Sequence, residues 1–302
     1  MTWGTDRVNR ALALVTVSPL DQRPLYYAQP VAPELTLQSA LIEGKFKIDA
    51  RYRSEFVEQD NRAQKAHAST LRVRAGYETA AYNGFFAGVE GEITRGIFSN
   101  RRSDGVTNIP ALPVIPDPDS EVLNRAYVGW TRVDADGMSG ARAVLGRQRI
   151  AYDNERWVGP VAFRQNDQTF DAMTAEGQIV PGVNARYAYL NRVNRVLGNN
   201  PNGHWGNDSH LISVATNKTP YGITTAYAYL LDLKPVARMS SATFGVRYDA
   251  LVQYRDDLAF GLEAEIARQS DYAGNPNNYG VTYTLLRPMV KWNDDTLLSI
   301  GW

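Results

Sequence analysis

The sequence GKFKIDARYRSEF at residues 44–56 decides the fold class, because apolar and polar side chains alternate along it. Its apolar face carries Gly44, Phe46, Ile48, Ala50, Tyr52 and Phe56, and its polar face carries Lys45, Lys47, Asp49, Arg51, Arg53 and Glu55. Successive side chains of a β-strand point to opposite faces, so a period of two residues predicts a strand. A strand of this length exceeds the usual five or six residues or so, and it reaches the roughly 9–11 that cross a bilayer at a tilt.

The same alternation recurs to the end of the chain. It is found in residues 71–78, 85–93, 125–131, 183–192, 210–217, 222–233, 241–254, 258–269, 278–291 and 296–302. These segments predict about 13 strands in a meander of hairpins, in which short turns alternate with longer inserts, as in outer-membrane barrels. We expect at least one insert to fold over the mouth of a barrel. The longer inserts are Asn100 to Ser120, Tyr152 to Asp167 and Leu197 to Asp208.

The pattern favours an all-β fold, an antiparallel transmembrane β-barrel with an up-and-down meander. A soluble β-sandwich also alternates, but its strands are shorter, and charges at mid-strand suit a hydrated lumen better than a dry core. An odd number of strands cannot close such a barrel, so either the count errs by one or the chain is truncated at its carboxyl end. We expect an incomplete barrel in residues 41–302 and a leader or irregular N-terminal extension in residues 1–40.

Composition narrows the classes of function. The net charge is zero, with 32 basic and 32 acidic residues, which argues against nucleic-acid binding. The chain has no cysteine, so metal-thiolate sites, disulfides and cysteine nucleophiles are excluded. The sequence contains no uninterrupted apolar run of about 18 residues, which excludes a helical membrane protein. A barrel keeps an ordinary composition because only every second residue of a strand faces lipid.

Several stretches with distinctive loop sequences resemble the alginate export porin family. They are GRQRIAYDNERWVGPVAFRQNDQTFDA (146–172), YAYLNRVNRVLG (187–198), TAYAYLLDL (225–233) and ARQSDYAGNPNNY (267–279). The likeness covers most of residues 41–302. It implies an outer-membrane barrel with many antiparallel strands and an electropositive constriction. The members after which the family is named pass a polyuronate across the outer membrane. The given sequence shows no clear signal peptide and stops sooner than family barrels usually do, so we expect a fragment or a shortened member.

Arginine dominates the basic residues, with 26 of the 32, and the other six are lysine. A guanidinium group holds a carboxylate through two parallel hydrogen bonds, and rings of arginine select anions in pores. We predict a basic ladder in the lumen that binds anionic solutes, with Glu78, Glu90, Glu92 and Glu176 between the arginines. Such a ladder also fills many barrels without any transport role. Its predicted members are Lys47, Arg51, Arg53, Arg72, Arg74, Arg125, Arg147, Arg149, Arg186 and Arg192.

Catalysis is not predicted. His204 and His210 lie close to Asp208 and Ser209, but the spacing has no strand–turn–helix elbow of a hydrolase nucleophile. No H-x-x-x-H pair predicts a metal site, and no cofactor is expected. Acidic loop residues could bind calcium, although acidity in a loop also serves solubility. These residues are Asp117, Asp119 and Glu121.

The sequence therefore predicts a monomeric porin of the bacterial outer membrane that passes anionic polysaccharide, an alginate-like polyuronate, through an arginine-rich lumen. Two alternatives remain open: a general anion-selective porin for small organic acids, and a plugged structural barrel without transport. The expected partners are outer-membrane lipid, a polysaccharide or carboxylate solute and periplasmic export proteins, with no nucleic acid. The aromatic residues expected to form girdles at the membrane interfaces are Tyr52, Tyr77, Trp130, Tyr187 and Tyr189.

Overall fold

A computed structural model describes residues 36–133, 140–217, 219–293 and 296–301. The extension predicted for residues 1–40 therefore lies outside the described residues, apart from its last five. Those five begin a short helix, α1 (Leu37–Ile42), in which Thr36 is the N-cap, so the helix crosses the boundary predicted between residues 40 and 41. A 3₁₀ helix spans Lys234–Met239.

Thirteen β-strands make up most of the described chain, in agreement with the predicted count. They are β1 (Lys45–Val57), β2 (Ala66–Glu78), β3 (Phe85–Gly96), β4 (Ser120–Val133), β5 (Gly140–Gln148), β6 (Thr169–Val180), β7 (Val183–Asn194), β8 (His204–Thr216), β9 (Ile223–Leu231), β10 (Ser241–Arg255), β11 (Leu258–Asp271), β12 (Gly280–Trp292) and β13 (Thr296–Ser299). Strands that are neighbours in the chain are neighbours in the sheet, in the order β1 to β13. The all-β antiparallel meander is confirmed.

The connections alternate in length, as predicted. Those after odd-numbered strands run from 8 to 23 residues, and those after even-numbered strands run from 2 to 6. In an antiparallel meander, all the connections after odd-numbered strands lie at the same end of the strands. Outer-membrane barrels have this arrangement, with long loops outside the cell and short turns in the periplasm. Among the described residues, no helix is both long and apolar enough to cross a membrane.

The burial of the two strand faces is the reverse of that in a water-soluble sheet, because apolar side chains are exposed and charged side chains are buried. On β1, the apolar residue Phe46 is 65% exposed, and Ile48 beside it is exposed as well. On the opposite faces of β2 and β3, the charged residues Arg72, Arg74 and Glu92 are buried. We call these the apolar face and the polar face. Exposed apolar surface together with buried charge is the pattern of a barrel wall, in which the apolar face meets lipid.

The described chain forms two compact units. Unit 1 comprises the described residues within Met1–Val128, Gly146–Phe170 and Val193–His204, and unit 2 those within Gly129–Leu145, Asp171–Arg192 and Trp205–Trp302. Unit 1 contains the polar faces of β1 to β3 and the long connection that packs on them. Unit 2 contains β9 to β13.

A tyrosine on the polar face ties three consecutive strands together in unit 1. Tyr127 of β4 lies over Gly88 of β3, where a methyl group would come within 2.5 Å of the tyrosine Cζ. The hydroxyl of Tyr127 continues to β2 and donates a hydrogen bond to Glu78. Gly88 is therefore needed at this position, because only a residue without a side chain leaves room for the ring.

The same arrangement occurs in unit 2. Tyr227 of β9 lies over its partner Gly245 of β10, where a methyl group would come within 2.3 Å of the tyrosine Cζ. The Tyr227 hydroxyl donates to Oε1 of Glu265 on β11, at 2.5 Å. Each tyrosine thus spans three strands, which stabilises their register.

Candidate functional site

The connection between β5 and β6, residues 149–168, folds onto the polar face of unit 1. Its last part, Ala162–Asp167, contacts β1, β2 and β3, and we call these six residues the inward segment. The residues on either side of it are joined, because the Gln168 N–H donates to the Pro160 carbonyl at 2.6 Å. Val161, directly before the segment, has a φ of 52°, which a β-branched residue adopts only under strain. The contacts of the inward segment must therefore offset that strain.

Two arginines of β1 hold the backbone of the inward segment. Arg53 Nη1 donates to the Phe163 carbonyl. Arg51 Nη1 donates to the Ala162 carbonyl at 3.0 Å, and its Nε donates to Gln165 Oε1 at 2.9 Å. Its Nη2 donates to the Arg164 carbonyl. Hydrogen bonds with a charged donor are the stronger kind, so the path of the segment is fixed by the strand beneath it.

Gln165 extends the attachment to β2. Its side-chain Nε2 donates to the Thr70 carbonyl at 3.0 Å and to the Thr70 hydroxyl at 2.8 Å. Its backbone N–H donates to Asp117 Oδ1 at 2.8 Å, and Asp117 belongs to the connection between β3 and β4. Gln165 is fully buried. A buried amide with these partners binds the segment to both the wall and the neighbouring loop.

Asn166 is buried and hydrogen-bonded to three other parts of unit 1. Its Oδ1 accepts from the hydroxyls of Thr94 on β3 and Ser120 on β4, both at 2.8 Å. Its Nδ2 donates to the Val196 carbonyl at 2.9 Å. Because these contacts satisfy both ends of the amide, replacement of Asn166 by an apolar residue would leave several buried polar groups without partners.

Asp167 ends the inward segment among arginines. Its Oδ1 lies 2.8 Å from Arg74 Nη2, and its Oδ2 lies 3.9 Å from Arg149 Nη1. Arg74 is also paired with Glu92 through its Nε. Burial opposes ionisation of Asp167, but Arg74 and Arg149 outweigh it and hold the pKa of this carboxyl below its ordinary value. Asp167 is therefore ionised at neutral pH.

Phe163 projects from the inward segment and is 59% exposed. The guanidinium carbon of Arg53 lies 4.8 Å from the centre of its ring, and that of Arg164 lies 4.3 Å away. Both distances suit cation–π contacts. Arg164 in turn pairs with Glu55 at 3.2 Å and Asp117 at 3.6 Å. The segment therefore presents one aromatic ring beside two guanidinium groups.

Arginine side chains and carboxylates surround the inward segment. Among the described residues, no carboxylate lies within 4.0 Å of Arg51, whose donors are directed at carbonyl and amide oxygens. Guanidinium groups at this place include those of Arg51, Arg53, Arg72, Arg74, Arg149 and Arg164. Carboxylates paired with them include those of Asp49, Glu55, Glu92, Asp117 and Asp167.

The structure thus brings together five members of the predicted ladder, Arg51, Arg53, Arg72, Arg74 and Arg149. Arg72 and Arg74 are buried. Arg72 Nη1 and Arg74 Nη2 each lie 3.4 Å from the Gln165 carbonyl oxygen. These contacts attach the segment to the wall. Sequence reasoning did not identify Gln165, Asn166 or Asp167 as site residues, because their partners lie far away in the chain.

The other members of the predicted ladder pair with groups outside the inward segment, although Arg125 lies near enough to Asp167 to help lower its pKa. Lys47 is exposed on the polar face of β1. Arg125 pairs with Glu90 at 3.4 Å, and Arg147 Nη1 donates to the Leu123 carbonyl at 3.0 Å. In unit 2, Arg186 pairs with Glu176 at 3.6 Å and Arg192 pairs with Asp171 at 3.8 Å.

Three of the four glutamates placed between the arginines by the sequence do pair with them. Glu90, Glu92 and Glu176 each contact an arginine, as expected. The fourth, Glu78, accepts a hydrogen bond from the Tyr127 hydroxyl. A polar face on which charged side chains form pairs is consistent with the interior of a barrel.

Unit 2 contains a charged cluster that sequence reasoning missed. Arg247 Nη2 lies 2.6 Å from Glu263, and its Nε lies 2.6 Å from Asp249. Its Nη1 lies 3.2 Å from Glu265, and Arg287 Nη1 lies 2.7 Å from Glu263. Charged residues two positions apart share one face of a strand. The sequences RYD at 247–249 and EAE at 263–265, on adjacent strands, were therefore the signal that could have located this cluster.

The acidic residues considered for calcium are not brought together. Asp117 accepts from the Gln165 N–H, Asp119 from the Gly96 N–H at 2.7 Å, and Glu121 pairs with Arg95. In the part of the chain that the structure describes, no group of three or more potential metal ligands occurs. The structure therefore does not support the calcium alternative.

Comparison with known proteins identifies the fold. No family model matches the sequence, and no curated protein shows significant similarity to it. Two similar solved structures are Acinetobacter baumannii OccAB4 and Pseudomonas aeruginosa OpdL. The fold resembles that of outer-membrane porins.

The likeness is one of architecture. OccAB4 has a TM-score of 0.61 and 12% sequence identity over 85% of this chain, and OpdL has 0.54 and 14% over 86%. The chain spans 66% and 65% of the lengths of these two structures. The β-barrel porin fold is thereby supported, whereas the resemblance to alginate export porins is supported only at this coarser level.

Proposed function

We propose that the chain is a passive channel of the bacterial outer membrane for small anionic solutes, with carboxylates as the main class. The observation that carries the proposal is the inward segment, Ala162–Asp167, fixed on the polar face by Arg51, Arg53 and Gln165. A segment held on the inner wall of a barrel narrows the passage and adds its own groups to the lining. We propose a monomer that needs no cofactor.

The proposed location follows from the burial of the two faces. Large apolar side chains such as Phe46, Phe244 and Phe260 are exposed along strands of both units. Their exposure to water would be unfavourable at roughly 25 cal/mol for each Å² of apolar surface. Lipid removes that cost, and a hydrated interior removes the cost of desolvating the charged polar face. An outer-membrane barrel satisfies both requirements.

The proposed selectivity follows from Arg51. Carboxylates pair with Arg53, Arg72, Arg74 and Arg164, whereas among the described residues Arg51 is directed at carbonyl and amide oxygens. A fixed positive charge at a constriction attracts anions and repels cations. Arginine also suits carboxylates because its donors are planar and paired. A weak excess of charge lets a solute leave again, as conduction requires.

A polyuronate is the second candidate solute. The stretch that resembles alginate export porins, residues 146–172, includes the whole inward segment. A uronate chain carries a carboxylate on each sugar, so successive cations could pass it along the lumen. A channel for a polymer needs a wide constriction, however, and the inward segment narrows it. Small organic acids are therefore the first candidate.

Reversal potentials in planar bilayers test the proposal. Under a salt gradient, we expect the wild-type channel to prefer chloride to potassium and the Arg51→Gln variant to lose much of that preference, because the fixed charge is removed while a hydrogen-bonding amide remains. Arg255→Gln is the matched control, since Arg255 is exposed and pairs with Asp257 next to a short turn. We expect no effect of this control.

Two outcomes would contradict the proposal: cation preference in the wild type, or equal selectivity of the wild type and Arg51→Gln. Benzoate and a uronate hexamer, added to one side, then separate the two solutes. Passage of benzoate with no effect of the hexamer supports small acids, whereas reversible block by the hexamer supports a polyuronate.

A further inference from the structure

The helix α1 exposes three large aliphatic side chains. Leu37 is 58% exposed, Leu41 is 54% exposed and Ile42 is 71% exposed, while Ala40 is the buried residue of the helix. A helix of six residues is not stable in water by itself, because nucleation costs more than so few hydrogen bonds return. Contacts with the rest of the chain must therefore hold it in place.

Those contacts are made with the end of β2. The Tyr77 hydroxyl donates to the Leu41 carbonyl at 2.5 Å and accepts from the Gly44 N–H at 3.0 Å. The Ala80 N–H donates to the Ala40 carbonyl at 3.0 Å. A methyl group at Gly44 would come within 2.2 Å of the Tyr77 oxygen, so only glycine allows this close approach. The helix is thus attached at a defined position.

This position is at the rim of the apolar face. Tyr77 pairs with Phe46 on β1 and with Val89 on β3, and both of these side chains are exposed on the apolar face. Ala80 belongs to the short connection between β2 and β3. Short turns lie at the periplasmic end of outer-membrane barrels. The exposed side chains of α1 therefore continue the apolar row of Phe46, Tyr77 and Val89 at that end.

We propose that α1 is a membrane-interface anchor, whose Leu37, Leu41 and Ile42 enter the headgroup boundary of the periplasmic leaflet. The occupant of this surface is lipid, because the surface is continuous with the face that meets lipid in the proposed function, on which the inference rests. Short apolar segments at a barrel rim gain by burial at this depth, as interfacial helices do. Tyr77 then has two roles, as an interface aromatic and as the tether of the helix.

A single fluorescent label measures the depth of α1 directly, because the chain has no cysteine of its own. The full chain is reconstituted into phosphatidylcholine vesicles with an environment-sensitive dye at Leu41→Cys. Lipids that carry a doxyl quencher near the headgroup or at mid-chain are added in turn. Ile48→Cys, on the apolar face, and Asp60→Cys, in the exposed connection after β1, are labelled in the same way as controls.

We expect the Leu41→Cys label to emit further to the blue than the Asp60→Cys label and to lose more fluorescence to the headgroup quencher than to the mid-chain one. The proposal is overturned if the Leu41→Cys label is open to aqueous iodide like the Asp60→Cys label while the Ile48→Cys label is quenched by lipid. It is also overturned if the Leu41→Cys label is shielded from both iodide and lipid, since protein then covers α1. Failure of lipid to quench Ile48→Cys would instead contradict the membrane location itself.

Discussion

Asp167 connects the inward segment to the wall through one carboxylate. Burial by itself would raise its pKa, but Arg74 and Arg149 lower it by a larger amount. A carboxyl group with a depressed pKa stabilises the folded arrangement at pH values above its unfolded pKa. That stabilisation is lost as the pH falls through the folded pKa, which here lies below the ordinary value of 3.8. The attachment should therefore tolerate mild acid.

The conductance of a single channel should follow this titration. We expect the part of this conductance that depends on Asp167 to be constant from neutral pH to about pH 4 and to rise only below it, when Asp167 takes up a proton and the inward segment loosens. Asp167→Asn should conduct more at neutral pH, because removal of one partner of a buried ion pair costs about 3–5 kcal/mol. Asp257→Asn, at an exposed pair, is the control. A transition near neutral pH that is present in the wild type and absent from Asp167→Asn would contradict this account of Asp167.

At this scale the sequence could locate residues but not their partners. Alternation assigned Arg51 and Arg72 to a polar face correctly, because a period of two follows from strand geometry alone. It could not show that Gln165 reaches Arg51 and Thr70, since 114 and 95 residues separate these partners in the chain. The use of ladder arginines as attachment points of a loop was therefore beyond sequence reasoning, and their use as an anion path stays a prediction.

Among the elements, the strands are tied by two tyrosines in equivalent arrangements. Tyr127 spans β4 to β2 over Gly88, and Tyr227 spans β9 to β11 over Gly245. Each ring lies over a glycine of the neighbouring strand, where a methyl group would overlap it. Each hydroxyl donates to a glutamate of the third strand, and in unit 2 that glutamate, Glu265, is buried. Both features favour one register over its neighbours.

Unfolding measurements test whether these tyrosines tie the strands together. We expect Tyr227→Phe to lower the free energy of unfolding in urea by about 1–3 kcal/mol, because Glu265 loses a buried donor. Gly245→Ala should cost at least as much, because a methyl group would overlap the Tyr227 ring. Tyr254→Phe is the matched control, since that tyrosine is exposed at the other end of β10. Equal stability of Tyr227→Phe and the control would show that the tyrosine does not tie the strands.

The number and order of the elements were largely accessible from the sequence. Thirteen strands and the alternation of long and short connections follow from period-two patterning and turn residues, which are local properties. The path of the connection at residues 149–168 was not accessible, because its backbone is directed by contacts with distant strands. The helix α1 was also missed, since six residues carry too little periodic signal.

For the whole molecule, the burial of the two strand faces indicates which environment the strands require. Apolar side chains are exposed on the strands, and charged side chains are buried beneath the inward segment. Water would favour the opposite arrangement, whereas a bilayer around the strands and water inside them favour this one. The chain is similar in fold to OccAB4 and OpdL. In the proposed function, the inward segment narrows a water-filled passage.

Cysteine accessibility tests whether the inward segment narrows the passage. The chain has no native cysteine, so Phe163→Cys introduces a single thiol on the exposed tip of the inward segment. In planar bilayers, we predict that a charged methanethiosulfonate reagent reduces the current through this variant in a discrete step, because the added group obstructs the constriction. The wild type and Phe46→Cys, on the apolar face, should be unaffected. Current through Phe163→Cys that stays constant after labelling is confirmed by mass would contradict the claim.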